Sequence, residues 1–268
     1  MANLKGCGRK LGPYDCCTVV CADCLEGMKA LPDGCVDAVI TDPPYGVTQN
    51  KMDKPVDLSE CFRIGAGVIM TTQFPFTNDV VSRFRKHFKY DLIWDKVLTS
   101  GFLNASRMPL RRHEIVLVFG NVPYYPQKTE GNKSHSKGKP KAGANNNYGD
   151  YGFVDNSEEA GTLKYPTSIL TFSRPHPSKA IHRTEKPIEL MEYLVKTYSK
   201  ENALILDPFL GSGTTAVAAK KLGRHFLGFE IEQKYVDVAN ERIALVEAQS
   251  NLFEAKPEQL EFVGASGN

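Results

Sequence analysis

"ALILDPFLGSGTTAVAAKKLGRHFLGFE", residues 203–230, decides the fold. An apolar run ends on Asp207, and the chain turns through Gly211, Ser212 and Gly213. A stretch with apolar residues three and four apart starts at Thr214, and a second apolar run ends on Glu230. Strand, helix and strand in that order form the unit of a parallel sheet. Glycines at the carboxyl end of a strand let the backbone turn sharply and approach a ligand, where doubly wound folds bind nucleotides. No Gly-Lys-Ser/Thr follows, so this is not a Walker loop. Two threonines and no third glycine follow Gly213, so the dinucleotide fingerprint is absent as well. Glu230, about twenty positions beyond the loop, is placed to accept both hydroxyls of a ribose. A ribose clamp without pyrophosphate chemistry points to a nucleoside cofactor, S-adenosylmethionine, with Asp207 or a nearby carbonyl on its ammonium group.

The alternation extends along the chain. Strand-like runs at 17–22, 36–41, 66–71, 90–95, 114–119, 203–207 and 225–230 are bounded by turn or polar residues, and helical periodicity marks 25–31, 78–87, 188–198, 214–222 and 234–248. This predicts an α/β protein with a seven-stranded, mostly parallel sheet. The fourth and fifth runs have no helix between them, which predicts an antiparallel pair at the sheet edge.

Between 120 and 180 the periodicity dissolves into tyrosine-, lysine-, glycine- and proline-rich sequence, too long for a passive connector. The net charge is only +2, yet residues 128–141 (KTEGNKSHSKGKPK) hold five lysines, Lys128, Lys133, Lys137, Lys139 and Lys141, against one glutamate. Such a run suits a polyanion, although a solvated loop is the commoner meaning of the same pattern. No apolar run approaches the ~18 residues of a membrane span, and MANLKGCGRKLG lacks the apolar stretch of a secretory signal, which predicts a cytoplasmic protein. All seven cysteines lie in the first 61 residues. Cys21-x-x-Cys24 has zinc-like spacing, but no second CxxC or HxxxH pair accompanies it, so the spacing assigns no metal.

"VITDPPYGV", residues 39–47, ends a buried run on Asp42, stiffens it with Pro43 and Pro44, and presents Tyr45. DPPY followed about 165 residues later by DPFLGSGTT resembles the paired signature of the DNA amino-methyltransferases, in the β-type motif order. The likeness runs from residue 17 to about 248, apart from 120–180. It implies a Rossmann-like, S-adenosylmethionine-dependent methyltransferase fold with permuted motif order, in which the strand carrying the cofactor loop lies beside the strand carrying DPPY. It divides the chain into a catalytic half (1–119), a target-recognition insertion (120–180), a cofactor-binding half (181–249) and a tail (250–268).

Carried over residue by residue, Asp207, Phe209, Gly211, Ser212, Gly213 and Thr214 match the cofactor loop, Glu230 the ribose clamp and Ile231 the adenine face. Asp23 matches the acidic residue near the adenine amine. His182, Thr184 and Lys186 fall in HRTEKP, the segment beside the methionine part, which also reads as a plain helix entry with Thr184 capping and Pro187 in the first turn.

The resemblance also explains why a strand ends on a carboxylate. An exocyclic amine is a poor nucleophile because its lone pair is delocalised into the ring. Asp42 and the Pro43 carbonyl can accept its two N–H groups and localise that pair. Prolines fix φ and remove competing donors, and Tyr45 offers a π face to a base rotated out of the duplex.

Within the family, aspartate at the first motif position leans toward the N6 amine of adenine. Cytosine N4, or an amine of RNA or of a protein glutamine, poses the same chemical problem. Arg107, Arg111, Arg112 and the lysines of 128–141 are the candidate contacts to double-stranded DNA. Relatives can be homodimers and can be paired with a cognate restriction endonuclease, so the resemblance implies both partners.

Overall fold

The computed structural model describes residues 8–49, 53–132, 141–145, 149–154, 162–174 and 185–254, with backbone alone for 141–145, 149–154 and 250–254. One eight-stranded sheet dominates. Its strands are β1 (Thr18–Cys21), β2 (Ala38–Thr41), β3 (Gly67–Thr72), β4 (Phe88–Ser100), β5 (Arg111–Gly120), β6 (Ile169–Thr171), β7 (Leu204–Asp207) and β8 (His225–Glu230). Their order across the sheet is β6-β4-β5-β3-β2-β7-β8-β1. All neighbours are parallel except β5, which runs antiparallel to both β3 and β4.

The helices are α1 (Cys24–Lys29), α2 (Ser59–Ile64), α3 (Phe76–Arg83), α4 (Ile188–Tyr198), α5 (Thr214–Lys221) and α6 (Gln233–Glu254). α1 packs on α2, and α5 packs on both α4 and α6. Every residue of β2, β3 and β7 is buried, which is why these strands read as continuous apolar runs and not as alternating ones. α4 buries Leu190, Met191, Leu194, Val195 and Tyr198, the three-and-four spacing seen in the sequence. No helix among the described residues is long and apolar enough to cross a membrane.

The seven expected strands all form. The eighth, β6, comes from the segment without periodicity, because three residues are too few to show a period. Its parallel pairing with β4 places β6 at the edge, so the antiparallel pair β4–β5 lies inside the sheet and not at its border. α2 also escaped the pattern, since it buries only one apolar pair, Cys61 and Ile64.

The order of strands has one functional consequence. β2 leads outward through β3, whereas β7 leads the other way through β8 to β1. The carboxyl ends of β2 and β7 therefore flank the switch point, where open α/β sheets bind their ligands. β1 closes on β8, with Cys21 beside Glu230, so the two halves of the chain interleave as the permuted order implied.

Candidate active site

Asp42 follows the last residue of β2, and Asp207 is the last residue of β7. The Thr41 hydroxyl donates to Asp207 Oδ1 at 2.6 Å, tying the two strand ends together. Asp207 also accepts the Phe209 N–H at 3.0 Å. Burial pushes its carboxyl up to about 6. Asp207 therefore faces inward as the fastening of the glycine loop, which places it away from the role of an ammonium ligand anticipated above.

The carboxylate of Asp42 is the centre of a polar cluster. Its Oδ1 accepts the Tyr45 hydroxyl at 2.6 Å and also the Thr71 hydroxyl at the end of β3. Its Oδ2 accepts Lys186 Nζ at 2.6 Å. Lys186 lies 3.4 Å from Glu114 Oε2, and Lys96 Nζ donates to Glu114 Oε1 at 3.2 Å. Burial would raise the Glu114 pKa, but the ammonium groups of Lys186 and Lys96 outweigh it and hold the carboxyl below its usual range. Burial likewise opposes the charge on Lys186, and Asp42 with Glu114 reverses that, raising its pKa. Two carboxylates thus face two ammonium groups in a largely dry setting, each charge compensated.

Tyr45 bridges both carboxylates, since its hydroxyl also lies 3.2 Å from Glu114 Oε2. Burial, followed by the charges of Asp42 and Glu114, drives its pKa well above the usual phenol value. One face of its ring stacks on Phe76 at 5.8 Å. The backbone beyond it is held by Asp53, whose carboxylate accepts the N–H groups of Gly46, Val47 and Thr48. Pro43 is buried and Pro44 half-buried.

On the other side of the switch point, the loop after β7 turns at Gly211 (φ +55°) and Gly213 (φ +86°), both in the left-handed region. Glu230 joins loop to strand. Its Oε2 accepts the Gly211 N–H at 3.0 Å and its Oε1 the Glu232 N–H at 2.8 Å. Each oxygen keeps capacity for a further donor, such as a ribose hydroxyl. Ile231, 54% exposed, follows directly, and Asp23, just past the end of β1, caps α1 through the N–H groups of Leu25 and Glu26. An added Cβ at Gly211 would meet nothing within 4 Å, so the loop is open on that side. These residues fit a nucleoside cofactor.

Besides Asp207, two expected cofactor contacts are engaged elsewhere. Lys186 reaches Asp42 and Glu114, which makes it an ion-pair partner of the DPPY carboxylate. Ser212 is buried, with its carbonyl and hydroxyl oxygens taken by Arg242 at 2.7 and 3.0 Å; Arg242 also pairs with Glu185 at 2.9 Å. Thr214 begins α5 and lies 3.5 Å from Glu185. His182, Thr184, Lys133, Lys137 and Lys139 lie outside the described residues, and Lys141 is described by backbone alone. Pro187 is the N-cap of α4, one position ahead of the expected first turn.

Among the candidate DNA contacts, Arg107 and Arg111 are exposed, whereas Arg112 clamps Asp95 through two bonds of 2.7 and 2.8 Å. Lys128 sits over the Tyr165 ring at 4.2 Å. Trp94 is buried, with its indole N–H donating to the Phe172 carbonyl at 2.8 Å. Thr71, Lys96, Glu114 and Arg242 could not be picked out in the sequence, because each stands alone in its own element with no motif around it, and Glu185 was passed over within HRTEKP.

A family model described as DNA methylase, for N6 and N4 methyltransferases, matches residues 59–241. The chain belongs to this family. The DPPY motif lies upstream of the matched span, and it is Lys186 and Glu114, both within the span, that tie it to the family core.

Among curated proteins, the methyltransferase is 28% identical over 265 residues to the type II methyltransferase M.BglII of Bacillus subtilis, covering 86% of this chain and 70% of that protein. It is 26% identical over 279 residues to the type II methyltransferase M.HinfI of Haemophilus influenzae, covering 87% and 70%. Its fold matches a crystal structure described as an M1.HpyAVI–SAM complex, with TM-score 0.55 and 24% identity over 84% of this chain and 98% of that one. It also matches the cytosine-N4-specific PvuII DNA methyltransferase, with TM-score 0.57 and 15% identity over 87% and 90%.

Proposed function

We propose that this methyltransferase moves a methyl group from S-adenosylmethionine to the exocyclic N6 amine of an adenine flipped out of double-stranded DNA. The observation that carries this reading is the placement of Asp42, fixed by Tyr45, Thr71 and Lys186, across the switch point from the loop that Glu230 holds.

Glu230, Ile231, Asp23 and the loop 209–214 would hold the cofactor, which supplies an already activated methyl group. The remaining work is orientation and electrostatics. Asp42 Oδ2 and the Pro43 carbonyl accept the two N–H groups of the target amine, localising its lone pair toward the glycine loop. Lys186 yields Oδ2 to the incoming amine and stays bound to Glu114, so no charge in the cluster is left alone. The surplus proton of the product leaves through Asp42.

The hairpin between β4 and β5 supports a duplex substrate. β5 is antiparallel, so the hairpin rises from the same edge of the sheet as Asp42. It exposes Phe102 (81%) and Leu103 (94%) beside Arg107 and Arg111. Cations hold phosphates, and apolar tips support or replace bases that leave the stack. The basic residues of 128–141 extend the same role.

The test is incubation with labelled S-adenosylmethionine and unmethylated genomic DNA, followed by nucleoside mass spectrometry. N6-methyladenine is expected. N4-methylcytosine would move the target to the amine named for PvuII methyltransferase, and label on RNA or protein alone would overturn the DNA reading.

A further inference from the structure

Far from the catalytic carboxylates, two neighbouring cysteines meet a histidine from the other half of the chain. Cys16 Sγ lies 3.6 Å from Cys17 Sγ, and Cys17 Sγ lies 3.5 Å from His225 Nδ1. All three ligand atoms lie within 4.8 Å of one another. Cys16 and Cys17 are buried and His225 half-buried. A tetrahedral ion with thiolate bonds of about 2.3 Å and an imidazole bond of about 2.0–2.1 Å separates two sulfurs by about 3.8 Å, and sulfur from nitrogen by about 3.6 Å. The two edges that meet at Cys17, 3.6 and 3.5 Å, match those of such a tetrahedron.

The backbone is arranged to the same end. Adjacent side chains in an extended segment point to opposite sides, which would part the two sulfurs. Cys17 instead adopts φ +61°, a conformation that costs a non-glycine residue about 1–3 kcal/mol. That turn brings both sulfurs to one side. The Cys17 N–H bonds the Phe226 carbonyl at 2.7 Å and holds the pair against His225.

We propose that Cys16, Cys17 and His225 form a site for a thiophilic, tetrahedral divalent ion of the zinc class, which clasps the N-terminal segment to the start of β8. Both thiols give up their protons as the ion binds, and a fourth position stays open on the half-buried histidine side. The segment it secures includes a short hairpin, Lys10–Leu11 with Tyr14–Asp15, joined to Cys16 by its N–H bond to the Arg9 carbonyl. His225 opens β8 and Glu230 closes it, a separation of about 17 Å at ~3.3 Å per residue. The clasp is thus separate from the catalytic chemistry, and the inference stands whichever amine is methylated. The spacing of Cys21 and Cys24 directs attention to the wrong thiols, since His225 is brought in only by the pairing of β8 with β1.

The experiment uses the full chain, reduced and stripped with a chelator, titrated with Zn(II) against a chromophoric competitor and with Co(II) followed by absorption. One equivalent is expected, and the cobalt form should show thiolate-to-metal charge transfer with intense tetrahedral bands. His225→Gln and Cys17→Gly, the latter suited to a positive φ, should each weaken Zn(II) by at least about tenfold, since loss of a ligand costs no less than loss of an outer partner. Zn(II) should raise the thermal midpoint of the unsubstituted protein and of Cys24→Ser, but not of the two site variants. Absence of stoichiometric binding, a cobalt spectrum without thiolate bands, or affinity unchanged in both site variants would overturn the proposal.

Discussion

Asp42 is held by Tyr45, Thr71 and Lys186, whereas Glu230 holds the glycine loop, so on the proposed reading removal of Asp42 should separate catalysis from cofactor binding. Asp42→Ala is expected to lower kcat by about 10²–10³, the scale of a lost pre-organised transition-state contact, with the dissociation constant for S-adenosylmethionine within a few-fold of the parent. Single-turnover kinetics beside equilibrium binding would check both. Lys186 gives a different signature. Without its ammonium, that of Lys96 is left to oppose burial at Glu114, and that carboxyl rises. In Lys186→Met the activity relative to the parent should therefore rise as pH increases, read from parallel pH–rate profiles. A variant whose ratio stays flat would show that Lys186 does not govern the charge of the pair. Only one end of this arrangement is legible in the sequence. DPPY announces Asp42 and Tyr45, whereas Glu114, Lys96 and Thr71 are solitary polar residues whose meaning depends on which strand lies beside which.

The loop 208–213 is set by two helices as much as by its own glycines. Gly213 at φ +86° caps α5, and a Cβ there would lie 2.6 Å from the Ala239 Cβ of α6. Gly213→Ala adds strain to a clash, so a loss of about 2–4 kcal/mol in urea unfolding and weaker cofactor binding are expected together. The β4–β5 hairpin behaves in the opposite way. Leu103 is 94% exposed, so Leu103→Ser should leave unfolding free energy within about 0.5 kcal/mol while weakening binding to duplex DNA, measured by fluorescence anisotropy at fixed salt. Five long helical patterns and seven strands were legible from period and turn residues. β6 and α2 were not, because three strand residues and the single buried apolar pair of α2 carry too little periodicity.

Across the whole molecule, the join between β2 and β7 connects stability to the site. The Asp207 carboxyl rises from its ordinary 3.8 to about 6 by burial, so the folded protein holds a proton that the unfolded chain has released between those values. Stability from this residue is therefore gained as pH falls from 7 toward 4 and lost as pH rises through 6, by about 3 kcal/mol at most. Unfolding free energies of the parent relative to Asp207→Asn should show that slope, opposite in sign to ordinary acid denaturation. The sequence by itself determined the alternating α/β class, the permuted order of its two motifs, the strand-end carboxylates and the glycine loop. Local period, turn chemistry and a paired signature are properties of consecutive residues. Tertiary structure decided that Lys186 serves Asp42, that Asp207 turns inward, that β6 completes the sheet edge and that Cys16 and Cys17 meet His225. Each of those depends on elements distant in the chain becoming neighbours, and proximity across a sheet leaves no mark in the spacing of residues along it.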